Sequence, residues 1–147
     1  MGAPVVSFCR IDDREIRVRE PIAEPDALII QDPTLLHQVA VFDGMTDDAY
    51  VLINSNRSWS DLGLDEIALH GRRMTVPATD LARKHLGRPL PNAVLLGAFA
   101  AVTGVVEIDA VENAIRDKFS GSAADGNVAA ARAAYDLLKE PSFVAAS

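Results

Sequence analysis

Two short aliphatic runs that do not alternate, Ala27-Leu28-Ile29-Ile30-Gln31 and Tyr50-Val51-Leu52-Ile53-Asn54, constrain the fold of this chain more than any other feature. A strand with one wet face alternates apolar and polar side chains, whereas an unbroken apolar run needs cover on both faces. That pattern belongs to parallel sheets sandwiched by helices. Each run ends in a polar turn, Asp32-Pro33-Thr34 after the first and Asn54-Ser55-Asn56 after the second. Pro33 suits the first position of a helix, where its missing N–H costs nothing, and Asp32 can cap that turn. A short helix through Leu35, Leu36, Val39 and Val41 then ends near Gly44. Met74-Thr75-Val76 is a third, shorter strand, running through Pro77 into a helix from Ala78 to Leu86 that Gly87 closes.

The ends of the chain have different characters. From Pro4 to Ile11 the residues are apolar and β-branched, and Arg14 to Arg19 alternates strictly, with Ile16 and Val18 on one face. With Asp12-Asp13 as the turn, this predicts an N-terminal β-hairpin. Pro21 and Pro25 make Glu20 to Asp26 an extended connector. Towards the C-terminus, Asn92 to Thr103 reads as a small-residue helix closed by Gly104. Ile108, Val111, Ile115 and Phe119 share one face of a second helix, and Ala123 to Lys139 forms a third, after a flexible joint from Ser120 to Gly126. The expected fold class is α/β: an open, mostly parallel, Rossmann-like sheet with an N-terminal β-hairpin and a helical C-terminal part. At 147 residues, a single domain over 1–147 is expected.

A net charge of −7 argues against nucleic acid as a partner, since scattered Lys and Arg form no stripe along a phosphate backbone. Cys9 is the only cysteine, so the chain alone makes neither a disulfide nor a cysteine-ligated cluster. Its place among apolar neighbours predicts a small buried hydrophobe. The start shows no secretory signal and no run approaches the ~20 apolar residues of a membrane span, so a cytoplasmic protein away from the membrane is expected.

Few residues suggest catalysis. There is no H-E-x-x-H, no G-x-S-x-G and no phosphate loop ending in Lys-Ser or Lys-Thr. His37, His70 and His85 lie in separate segments and read as solvated or capping residues, so neither a catalytic set nor a metal site is expected. Asp12-Asp13 reads as a solvated hairpin tip, and Asn92, after Pro91, reads first as a helix cap. In open α/β sheets functional groups gather at the carboxyl ends of the strands. Here those ends are Asp32 to Thr34, Asn54 to Asn56 and Thr75 to Asp80, which makes Asp32, Thr34, Asn54, Ser55, Asn56 and Thr79 the candidate contacts.

The order of segments resembles the gamma subunit of pyruvate and related 2-oxoacid:ferredoxin (or flavodoxin) oxidoreductases. The stretches that carry the resemblance are Gly2 to Asp13, Glu24 to Leu35 and Val51 to Asn54, then Val76 to Ala82, Leu86 to Asn92, and Leu96-Gly97-Ala98 with Thr103-Gly104-Val105. The resemblance implies a complex that oxidatively decarboxylates pyruvate or a related 2-oxoacid to acyl-CoA. It places thiamine diphosphate and 4Fe-4S clusters in alpha, beta and delta-type partner subunits, with ferredoxin or flavodoxin as acceptor. This chain would bind no cofactor alone, would not be active alone, and would have a structural role that shapes access for CoA, the substrate its candidate contacts would meet. In the family about forty-five residues precede the first of these stretches and hold the first strand, a glycine-rich G-x-G-G-Q-G loop and a helix. The resemblance therefore implies that another polypeptide, a homodimer partner or a rearranged sheet fills that place, and the loop's functions do not carry over. A stand-alone module that binds CoA or a nucleotide, or only assembles, is the alternative expectation.

Overall fold

In the computed structural model, which describes residues 3–67 and 69–144, the aliphatic runs are neighbouring strands of one sheet. Strands β1 (Ala27–Ile30), β2 (Tyr50–Asn54) and β3 (Arg73–Val76) lie side by side in that order, all parallel. Ile30 stands opposite Ile53, and Ile53 opposite Thr75. Parallel neighbours need long crossovers. Residues 31–49 make the first and residues 55–72 the second.

The central strand is buried on both sides, as its composition requires. On one face Leu52, Met74 and Val76 pack against helices α1 (Ala78–Leu86), α2 (Asn92–Thr103) and α4 (Gly121–Lys139). On the other, Val51, Ile53 and Ile30 meet Trp59, Leu64 and the half-buried Leu35, Leu36 and Phe42. That cover departs from the expected second helical layer. An apolar face demands exclusion of water, not a helix as such, and the two crossovers supply it with irregular chain anchored by Trp59. The Trp59 indole N–H donates to the Leu64 carbonyl at 2.8 Å, and its ring lies 6.3 Å from Phe42 and beneath the Arg73 guanidinium. Burial of each large aliphatic side chain here contributes about 1.5–3 kcal/mol, so a charged residue at Val51 or Ile53 would unfold the sheet.

Helix α2 is apolar nearly all round because it lies between the sheet and α4. Gly97 brings the two helices together: a Cβ there would lie 2.0 Å from the Ala131 carbonyl oxygen. Helix α3 (Ile108–Lys118) lays Ile108, Val111 and Ile115 against α2 and α4. Phe119 just beyond it is 40% exposed, so the expected apolar stripe is one residue shorter than read. Helix α5 (Pro141–Val144) follows α4.

Several local expectations are corrected. Residues 3–20 make no ladder with one another or with the sheet, so the N-terminal hairpin is not formed. Alternation makes a strand possible but a ladder needs a paired neighbour. This stretch has none, and its apolar side chains, including Val5, Phe8, Ile16 and Val18, stand exposed. Cys9 is exposed with them instead of buried, for the same reason. The joint expected from Ser120 to Gly126 is helical from Gly121, because Ala123, Ala124 and their neighbours propagate α4 back to that residue. The helix after Pro33 is a single 3-10 turn, Pro33–His37, and does not reach Gly44. Asn92 is the first residue of α2, with Pro91 at the cap, and its side chain turns instead to Gln31.

Candidate functional site

The three strand ends meet in one cleft of about 450 Å³. Its floor is tied together by Asn54, which is only 7% exposed. The Asn54 Nδ2 group donates to the Gln31 carbonyl at 3.0 Å and to Thr79 Oγ1 at 2.8 Å. Its Oδ1 accepts from the Thr79 backbone N–H at 3.2 Å. One amide thus joins the end of β1, the end of β2 and the first turn of α1. It also caps α1, whose cap residue Pro77 offers no side-chain bond. Beyond it, Gln31 Nε2 donates to Asn92 Oδ1 at 2.8 Å, which links the end of β1 to the start of α2.

The six residues expected at the strand ends divide in two. Thr34, Asn54, Ser55, Asn56 and Thr79 line the cleft. Asp32 does not line it. Its carboxylate accepts from the Thr34 N–H at 2.9 Å and from the Thr34 hydroxyl at 2.7 Å, which caps the 3-10 turn. These bonds, the hydroxyl's first and then the amide's, hold the Asp32 carboxyl below the ordinary carboxylate range. Asp32 therefore positions Thr34 and remains exposed. The Ser55 hydroxyl oxygen accepts from the Arg57 N–H at 3.0 Å and sets the turn after β2.

Arg57 and Arg83, which sequence reasoning passed over, also line the cleft, together with Asp80, the last residue of the third strand-end turn, and His37, read from sequence as solvated or capping. Arg83 was within reach: it follows Thr79 by four residues, one turn along the same helix face. It pairs with Asp80 at 3.4 Å. Arg57 donates to the Asp61 carbonyl across its own loop. That contact depends on the irregular path of the second crossover, which leaves no periodic trace in the sequence. His37 closes the 3-10 turn.

Among the described residues, no three His, Cys, Asp or Glu side chains come together to hold a metal ion. The ion pairs elsewhere are superficial. The largest group joins Arg132 of α4 to Glu112 and Asp109 of α3, at 2.6 and 3.0 Å, and braces the helical part. No helix among the described residues is long and apolar enough to cross a membrane.

Fold and cleft together define a class: an open parallel α/β layer with a helical C-terminal part, presenting a cleft of mixed polar and apolar lining where its strands end. Known proteins of this class narrow it further. Residues 1–137 match the family described as pyruvate ferredoxin/flavodoxin oxidoreductase. A pyruvate synthase subunit PorC from Methanocaldococcus jannaschii is 44% identical over 140 residues, 95% of this chain and 75% of that one. A subunit gamma from Pyrococcus furiosus, named as common to pyruvate and ketoisovalerate oxidoreductases, is 40% identical over 92% of this chain and 73% of its own. The crystal structure of the pyruvate oxidoreductase subunit PORC from Thermotoga maritima superposes with a TM-score of 0.70 at 31% identity, over 78% of this chain. This chain spans 64% of that subunit's length. The chain belongs to the pyruvate ferredoxin/flavodoxin oxidoreductase family.

Proposed function

We propose that this chain is the gamma-type component of a thiamine diphosphate-dependent 2-oxoacid:ferredoxin oxidoreductase, a cytoplasmic complex that converts pyruvate or a related 2-oxoacid to acyl-CoA. The observation that carries the reading is similarity from end to end: 44% identity covering 95% of the chain, to a protein named as a subunit of pyruvate synthase. Within that complex the chain acts as a non-catalytic, gamma-type domain over residues 1–137 at least. Thiamine diphosphate and 4Fe-4S clusters belong to alpha, beta and delta-type partners. A cluster takes several thiolates, and this chain contributes one cysteine, itself exposed on the N-terminal segment.

The role left to the chain is assembly and placement of CoA. Exposed Val5, Phe8, Ile16 and Val18 suit burial against a partner subunit. Thr34, Ser55, Asn56 and Thr79 offer hydroxyl and amide groups at the strand ends, where a substrate in an open α/β sheet is held. Asn54 and Asp32 act through them, one by fixing Thr79 and the other by fixing Thr34. The Pyrococcus relative's name describes one gamma subunit common to two oxidoreductases. A component shared in that way does not choose the 2-oxoacid, which fits a role in handling the common thiol substrate.

Purification from the native source tests the assembly. Co-elution with chains that carry thiamine diphosphate and iron–sulfur clusters is expected, and a colourless homodimer without oxidoreductase activity would overturn the reading. In the reconstituted complex, Ser55→Ala should raise the KM for CoA and leave that for the 2-oxoacid unchanged. An unchanged KM for CoA removes Ser55 from the contact set.

A further inference from the structure

We infer that two copies of this chain exchange their N-terminal arms, residues 14–19 of each adding as a strand to the free edge of β1 in the other. Donor and acceptor both belong to this chain, and they do not meet within it. The acceptor is one particular edge. Strand β1 has a neighbouring strand on one side only. The Tyr50 N–H donates to the Asp26 carbonyl at 2.9 Å, so by alternation the backbone groups of Asp26, Leu28 and Ile30 face β2 and those of Ala27 and Ile29 point outward. Among the described residues no backbone group pairs with that outward pair. The opposite edge of the sheet is covered, since Met74, Thr75 and Val76 of β3 are buried, whereas Ile29 is 39% exposed. Ile29 shares its face of β1 with Gln31, and the exposed Leu96 shares its face of α2 with Asn92. The Gln31–Asn92 bond therefore sets both apolar side chains on one rim. No Lys, Pro or bulge within β1 blunts this edge, as sheets that stay solitary arrange.

The arm fits that edge in pattern and in charge. Every residue from Ala3 to Glu20 is exposed, and Ile16 and Val18 stand on one face of an alternating run with Arg17 and Arg19 on the other. Added to β1, the run gives Ala27 and Ile29 backbone partners and covers Ile29 and Leu96 with Ile16 and Val18. Exposed carboxylates bracket β1, Asp26 before it and Asp32 after it; Asp32 keeps its charge while it caps Thr34. Arg17 is paired with Glu15, which leaves Arg14 and Arg19, one at each end of the run. Whichever way the arm runs, an arginine falls beside each acidic end. The chain's own β1 does not take the arm: the connector seats the Ala23 carbonyl against Gly44, where a Cβ would lie 2.1 Å from its oxygen. Each copy has one arm and one such edge, so reciprocal exchange uses both and stops at two. The subunit that covers Ile16 and Val18 is then another copy, a step beyond the assembly role proposed above.

Sedimentation equilibrium of the full chain tests the exchange. A dimer of twice 15.7 kDa is expected, and a chain that stays monomeric at its highest soluble concentration overturns it. Two variants separate donor from acceptor, Ile16→Asp with Val18→Asp in the arm and Ile29→Lys at the edge. All three side chains are exposed in the single chain, so unchanged fluorescence of Trp59 serves as the folding control. Each variant should raise the dimer dissociation constant by about tenfold or more, the scale of leaving one or two aliphatic side chains unburied. A mixture of the two should associate more tightly than either alone, because the intact edge of the first accepts the intact arm of the second. A dimer unaffected by either variant, or a mixture no more associated than its components, overturns the exchange. A dimer that fails to co-elute with cofactor-bearing subunits sinks only the proposed complex, and a monomer that joins such a complex sinks only the exchange.

Discussion

Replacing Gly97 with alanine sets two effects of opposite sign against each other at one position. Alanine in a helix interior is favoured over glycine by about 1 kcal/mol, so propensity alone makes the variant more stable. Packing predicts the reverse. The added Cβ would meet the Ala131 oxygen at 2.0 Å, its carbonyl carbon at 2.6 Å and its Cα at 2.8 Å, all backbone atoms of α4. No side chain can rotate away, so α2 and α4 must part by more than an ångström to reach ordinary contact. Ala130, Ala131 and Ala134, all fully buried, would lose their fit along that seam. Overpacking of this kind costs about 1–3 kcal/mol. A clash with backbone belongs at the upper end, leaving a net loss of roughly 2 kcal/mol after the propensity gain. For a chain of this size that lowers the melting temperature by about 4–8 °C. Gly126 provides the internal control. There a Cβ meets the His85 oxygen and the Leu86 Cδ2 at 3.0 Å, the second of these the far end of a flexible side chain. Gly126→Ala should therefore fall much nearer to neutral. Calorimetry or urea unfolding of both variants gives the answer, and a Gly97→Ala protein as stable as the parent would refute close backbone contact between α2 and α4.

Four further outcomes follow from the same geometry. Asn54→Ala leaves the Gln31 carbonyl and the Thr79 N–H without their partners in a part-buried place, which costs about 1 kcal/mol; full stability by urea titration would show that the clip is dispensable. Asp32→Ala removes a cap worth about 1 kcal/mol near neutral pH. Because the folded-state pKa of Asp32 is depressed below its ordinary 3.8, that stabilisation is present above the unfolded pKa and disappears as pH falls through the folded one. Parent and variant should converge in acid, and a gap that persists there contradicts a charge-based cap. Trp59, the single tryptophan, is 3% exposed, so native fluorescence should be blue-shifted and move to the red on unfolding. Cys9 should react with a bulky thiol reagent in the folded, unassembled chain as fast as a small model thiol; slow reaction that speeds up in denaturant would return it to a core.

The strands and most helices were legible from sequence because their signals are local. The run from Tyr50 to Asn54 is β2 to the residue, and Gly87 and Gly104 close α1 and α2 as their positions predict, each in the left-handed conformation. Cleft residues were legible where the strand-end rule applies, as for Thr34, Ser55 and Thr79. The rest required tertiary information. Alternation in residues 14–19 carries no record of whether a partner strand exists, so the hairpin was overread. Arg57 reaches the cleft by way of the irregular second crossover, for which no periodicity exists, whereas His37 closes the helical turn that the sequence did show and was set aside as solvated or capping. Asn92 shows the same limit: its cap position was inferred from Pro91, while its actual partner, Gln31, lies sixty-one residues earlier.

The Asn54 amide has a mechanical consequence. Because a single side chain fastens two loop origins to one helix start, the floor of the cleft cannot open or close piecemeal; β1, β2 and α1 move as one body there. Adjustment to an occupant falls to the long side chains at the rim. A floor organised in this way has its spacing set in advance, so an occupant would not require energy to be spent on assembling it.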